Sequence, residues 1–181
     1  MTGRASARCG AAAVMLVLLL ASCGGPGPGS ADKGFVARMI PHHELGMDLI
    51  DEATLRSDGV ELRRMVFEMG SYHHDEMARL QTWSREWHVP KEEKFPGSID
   101  AGRTARLARL DGAAHDTWWL HLMIEHHEGA VEIAADALSA ARHPDLLAMA
   151  RTVRSVQERQ ITEMKVLLGS LCVAGPGLPG C

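Results

Sequence analysis

Aromatic side chains are scarce in this chain: they make up only 4% of its 181 residues, and there is a single Tyr. Sheet cores are built largely from β-branched and aromatic residues. Here the apolar content comes mainly from Ala, Leu and Met, which are strong helix formers, so an all-α domain is expected. Basic excess is also missing. The formal charge of −4 leaves no electrostatic footprint for nucleic acid. No histidine is preceded at three residues by Glu, and the HExxH and CxxCH patterns do not occur, which removes the usual zinc-protease and c-type haem signatures. Plentiful instead are imidazole and thioether groups, with ten His and ten Met.

Arg4 and Arg8 precede an apolar run over residues 11–21, an export-signal pattern that falls short of the about 20 residues needed to span a bilayer. The run ends in Leu20-Ala21-Ser22-Cys23, which resembles the lipobox of bacterial lipoproteins, where cleavage precedes the Cys and the Cys carries lipid. Residues 1–22 then form the signal peptide, Cys23 is the lipidation site, and residues 23–30 are a Gly/Pro tether. Ordinary secretory cleavage with Cys23 incidental is the alternative. Both readings export the protein, and the first holds it on the outer face of the cell membrane through its N-terminal lipid alone. Cys172 and Cys181 remain as a pair outside the reducing cytosol. They form either a disulfide across the Pro176 and Pro179 turn or free thiols in a tail over residues 172–181.

Sliding the sequence on itself by 84 residues lays Asp32, Phe35, Met39, Ile40, His42, His43 and Glu44 onto Asp116, Trp119, Met123, Ile124, His126, His127 and Glu128. The same gapless offset pairs Leu62 with Leu146, Met65 with Met149, His73 with Gln157 and Glu76 with Gln160. Two copies of one unit are therefore present. Each reads as a helical hairpin, over residues 31–88 and 104–171, with second helices near 60–87 and 145–171. Asp32 and Asp116 are the expected N-caps of the first helices. Pro41 should kink its helix or delay its start, because it lacks an N–H and crowds the preceding turn. Residues 89–103 form a polar linker, followed by a short helical pattern at 104–110. Two hairpins joined this way predict a four-helix bundle over residues 31–171.

At about 100° per residue, His43 falls in the middle of an apolar stripe with Val36, Met39, Met47 and Ile50, and His127 does so with Leu120, Met123 and Val131. His42 and His126 lie about 100° away, toward either the interior or the surface. The second helices direct His73 and Glu76 inward in one copy, and Gln157 and Gln160 in the other. Such groups require partners, since an unpartnered buried polar group costs about 1–3 kcal/mol. One reading is a hydrogen-bonded core in which the histidines satisfy one another, giving a structural or interaction bundle. The other is a metal site drawn from His42, His43, His126, His127, His73, Glu76, Met39 and Met123, with Gln157, Gln160, Met47 and Met77 in support.

Thioether and imidazole together favour copper, for sequestration or delivery. Zinc on His43, His127, His73 and Glu76 is the alternative ion. A di-iron redox enzyme lacks its carboxylates, since glutamines stand opposite His73 and Glu76, and no catalytic constellation emerges. The expected partners are therefore a metal ion, the membrane through the lipid only, and a metal-delivery protein.

Met39-Ile40-Pro41-His42-His43 and Met123-Ile124-Glu125-His126-His127, with Gln157-x-x-Gln160-Ile161-x-x-Met164 downstream, resemble the signature of the domain of unknown function 305 family over about residues 31–168. The resemblance implies a ferritin-like four-helix bundle exported in bacteria, with some members similar in kind to periplasmic copper-binding proteins. It marks His42, His43, His126, His127, Met39 and Met123 as the motif positions. His73 stands where that family usually has Gln, and Gln160 where it usually has Glu, which implies an asymmetric site.

Overall fold

The computed structural model describes residues 27–181. The proposed signal peptide, Cys23 and most of the tether lie outside the described residues. Five helices follow in order: α1 (Ser30–Arg56), α2 (Val60–Trp87), α3 (Ala101–Leu107), α4 (Gly112–Ala140) and α5 (Pro144–Ala174). Four are long and form an all-α bundle in which α1 packs on both α2 and α4, while α4 also packs on α5. Of the four seams between neighbouring long helices, α2–α5 is the thinnest. No described helix is long and apolar enough to cross a membrane.

Two apolar clusters fill the bundle, one toward each end. The first joins Phe35, Met39, Leu80, Trp83, Ile133, Leu146 and Val153, with Met77 packed at its edge. The second joins Leu49, Leu62, Met69, Trp119, Leu120, Met123 and Met164, with Met47 at its edge. Each cluster combines the open end of one hairpin with the turn end of the other. The middle of every long helix is thereby left to polar side chains: His42 and His43, His73 and Glu76, His126 and His127, Gln157 and Gln160, all buried.

Three local expectations are corrected. First, Pro41 does not delay the start of its helix: α1 begins at Ser30 and stays helical through Pro41. The carbonyl that Pro41 cannot serve belongs to Ala37, and it accepts instead from the Glu92 N–H at 3.0 Å, so the linker completes the helix's hydrogen bonding.

Second, the two aspartates are not N-caps. Gly29 caps α1, with Asp32 at the third helical position accepting from the Gly29 N–H at 2.8 Å. The other Asp32 oxygen accepts from the Arg142 and His143 N–H groups of the α4–α5 turn, at 3.0 and 2.9 Å. Burial pushes the Asp32 carboxyl up, but the amides of His143, Gly29 and Arg142 together bring it below its ordinary value. Asp116 lies inside α4, whose N-cap is Asp111, and it packs against Gly59 in the α1–α2 turn. Repeat-equivalent aspartates thus each dock on the turn of the opposite hairpin.

Third, α3 starts at Ala101, earlier than the 104–110 pattern, because Asp100 caps it through the Gly102 and Arg103 N–H groups. At the other end α5 continues to Ala174. Cys172 is joined to Cys181 by a disulfide with Cα atoms 5.6 Å apart, and the returning tail lays Gly180 against the Thr117 carbonyl on α4.

Candidate metal centre

The doubled His-His motif works because α1 and α4 each have two neighbours. Successive helical residues point about 100° apart, so one histidine of each pair faces the partner in its own hairpin and the other faces across to the other hairpin. His43 Nε2 lies 2.7 Å from Glu76 Oε2 on α2, and His127 Nε2 lies 3.1 Å from Gln160 Oε1 on α5. Both contacts span 33 residues and are equivalent in the repeat. His42 and His126 meet across the α1–α4 interface with their rings stacked, centroids 3.8 Å apart and planes at 17°. These two residues are themselves repeat equivalents, so they mark the pseudo-two-fold axis.

Hydrogen-bond partners fix the protons on most of these rings. His42 Nε2 donates to the His126 carbonyl at 2.9 Å, His126 Nδ1 to the Gly97 carbonyl at 2.9 Å, and His73 Nδ1 to the Met69 carbonyl at 3.0 Å. His43 Nε2 faces a carboxylate and donates to it. The remaining nitrogens of three rings, His42 Nδ1, His73 Nε2 and His126 Nε2, are buried lone pairs without a partner, and His43 Nδ1 is also buried without one. His127 Nε2 donates to the Gln160 amide oxygen at 3.1 Å, and its buried Nδ1 has no hydrogen-bond partner.

Burial keeps the rings of His42, His73, His126 and His127 neutral. Burial, and then the nearby His126, drives His42 well below the usual imidazole range, and burial followed by His43 does the same for His73. Burial lowers His126 to about 4, while burial and then His126 lower His127 to about 3. Neutral imidazole with a free lone pair and its other N–H held by oxygen is the form that ligates metals.

All the sequence-derived histidines, Glu76, Gln157 and Gln160 enter this central layer, and His42 and His126 prove fully buried. Met39 and Met123 are not brought together. Each packs in a different apolar cluster, with Met77 beside the first and Met47 beside the second. Among the described residues no three His, Cys, Asp or Glu side chains are grouped to hold a metal ion as they stand. The free nitrogens come in smaller sets.

Glu76, 9% exposed, is the most accessible member of the layer. It lines a cavity of about 250 Å³ on the α2–α5 seam with Tyr72, Asp75 and Arg79. The opposite face is covered by the linker: Phe95 sets its ring edge-on to His42 at 5.9 Å, and Gly97 packs against Gly129 so closely that a Cβ on Gly129 would collide with the linker backbone.

Gly97 and Gly46 are the participants that side-chain reasoning missed. The Pro96-Gly97 dipeptide was the available signal, since Gly97 adopts φ +76°.

The fold and the layer define a duplicated four-helix bundle with unpartnered imidazole nitrogens at its centre. The chain belongs to the family described as Domain of unknown function (DUF305), which it matches over residues 32–168. It is similar to the crystal structure of a DUF305 protein of Streptomyces coelicolor named as a candidate secreted protein, with 26% identity and a TM-score of 0.73, covering 78% of this chain and 92% of that one. A DUF305 fragment from Deinococcus radiodurans shares 25% identity at a TM-score of 0.72, covering 80% and 99%. The fold is also that of CopM in its Cu(I)-bound form, at 22% identity and a TM-score of 0.68, covering 76% and 95%. CopM has further been solved bound to Cu(II) and to Ag. No protein of curated function matches the chain.

Proposed function

We propose that this protein is an exported copper-binding bundle that sequesters or passes on the ion in its central histidine layer, without turnover of a substrate. One observation carries the reading: buried, neutral imidazoles spend one nitrogen on a hydrogen bond to oxygen and leave the other free. Each orphaned nitrogen costs about 1–3 kcal/mol. A purely structural core would satisfy these groups or replace them with apolar side chains, so the cost points to a ligand.

The shared fold of CopM, a protein solved with Cu(I), Cu(II) and Ag, supports copper. So does the chemistry of the donors, since zinc in a structural site takes four donors in a tetrahedron and the layer offers smaller sets. The methionines act in this reading as the soft, polarisable wall above and below the layer. The basic, apolar and Cys23-terminated start of the sequence supports export with a lipid anchor.

The test is elemental analysis of metal-free protein after dialysis against Cu(I), Cu(II) or Zn(II), beside a variant lacking His42, His43, His126 and His127. Copper retained by the native chain and lost in the variant is expected. Absence of uptake by the native chain overturns the proposal.

A further inference from the structure

His73 is the imidazole that the repeat does not explain. Its equivalent in the second half is Gln157, whereas the other histidines of the layer have histidine counterparts. With Nδ1 held by the Met69 carbonyl, its Nε2 is aimed at α1, at Gly46. His126, with Nδ1 held by Gly97, aims its own Nε2 at the same point. A Cβ added to Gly46 would meet His73 Nε2 at 2.8 Å and His126 Nε2 at 3.0 Å. Both nitrogens are buried and unpartnered. They come from α2 and α4, on either side of α1, and they converge on the one helical position there that carries no side chain.

The geometry points to a two-imidazole seat, made by His73 Nε2 and His126 Nε2 over Gly46, for a soft monovalent cation of the Cu(I) or Ag(I) type. The nitrogens are closer together than the sum of their two distances to the Gly46 Cβ position. A cation bridging them at metal–nitrogen bonds of about 2 Å needs a separation of about 4 Å, which lies inside that bound. Two neutral donors suit a d10 monovalent ion, which accepts low coordination numbers, better than Zn(II) with its four-ligand demand. Gly46 supplies the clearance, and the Met69 and Gly97 carbonyls fix the orientation of the rings as outer partners. No redox step is involved, because the ion enters and leaves in one oxidation state.

This inference rests on the proposed copper-binding layer and specifies where in it the ion sits. The test uses the full chain, metal-free, titrated with Ag(I) as a redox-inert probe against a competing ligand, with the imidazole nitrogens followed by 15N NMR. On addition of Ag(I), the Nε2 signals of His73 and His126 are expected to shift while their Nδ1 protons stay in place. His73→Gln, which installs the residue found at its own repeat position, and Gly46→Ala each weaken binding by about tenfold or more. His74→Gln, on the exposed side of the same helix, binds as the native chain does. Silver bound without movement of either Nε2 signal, or bound equally tightly by His73→Gln, overturns the seat while leaving the wider copper proposal standing. No silver or copper uptake at all removes both. The NMR measurement on the native chain decides the matter if Gly46→Ala does not fold.

Discussion

Acidification to pH 5 should destabilise the metal-free bundle by several kcal/mol, while ordinary carboxylates are still mostly ionised. In the unfolded chain His126 and His127 have ordinary imidazole values near 6.5, whereas in the bundle they lie at about 4 and about 3. Above the unfolded value both states are neutral and stability is complete. As pH falls below it, the unfolded chain takes up protons that the folded chain refuses. Stability then declines by up to about 1.4 kcal/mol per pH unit for each residue until the folded values are passed. At pH 5 each of these two residues accounts for about 2 kcal/mol, or roughly 4 kcal/mol together. His42 and His73 act in the same direction. A domain of this size has about 5–15 kcal/mol in total, and each kcal/mol moves its Tm by about 2–4 °C. Calorimetry of chelator-treated protein at pH 7.5 and pH 5 should therefore show a fall of roughly 10 °C. A His127→Gln variant should show a shallower dependence. A Tm that is flat or rising between these two pH values would refute the claim that the layer holds neutral imidazoles.

Gly129→Ala is expected to lift the linker from α4, since the new Cβ meets Gly97 and Pro96 backbone atoms inside van der Waals contact. The cost should be about 2–4 kcal/mol from overpacking and from loss of the His126–Gly97 hydrogen bond, read as a lowered urea midpoint with faster amide exchange in the linker. Asp32→Ala leaves the Gly29, Arg142 and His143 amides without their acceptor and should cost about 2–4 kcal/mol; a midpoint unchanged in urea would contradict the docking role of that carboxylate. Saturating Cu(I) at about a hundred times its Kd should stabilise the protein by about 3 kcal/mol, and removal by a chelator should return the Tm to its metal-free value.

The architecture could be read from the sequence wherever a side chain's direction depends only on its own helix. The 84-residue offset reappears in space as the stacked His42 and His126 rings, and as the matched His43–Glu76 and His127–Gln160 contacts. The inward direction of His73, Glu76, Gln157 and Gln160 follows from helical period alone, and α2 occupies the 60–87 span that the pattern marks.

Legibility fails where two distant segments decide the outcome. The burial of His42 and His126 depends on α1 and α4 having a second neighbour, which no single-helix stripe encodes. Asp32 and Asp116 have the chemistry of N-caps, yet their packing partners lie in the turns of the opposite hairpins. Pro41 suggests a later helix start because its compensating donor, the Glu92 amide, lies in a segment that composition marks only as polar linker. The roles of Gly46 and Gly97 are those of a missing side chain and a backbone carbonyl, which residue-by-residue chemistry passes over.

The linker between the hairpins has a consequence for symmetry itself. Two separate hairpins pairing about a two-fold axis would present the same face fore and aft, and whatever one half could bind the other could bind equally. Joining them end to end requires a connecting segment, and the connection passes on one side only. Once it lies over His42 and His126, with Glu92 completing α1 and Gly97 holding His126, the two copies occupy unequal surroundings even where their sequences agree. Fusion of the repeats thus gives the protein a front and a back, and substitutions such as His73 against Gln157 fall on halves that were already distinguishable.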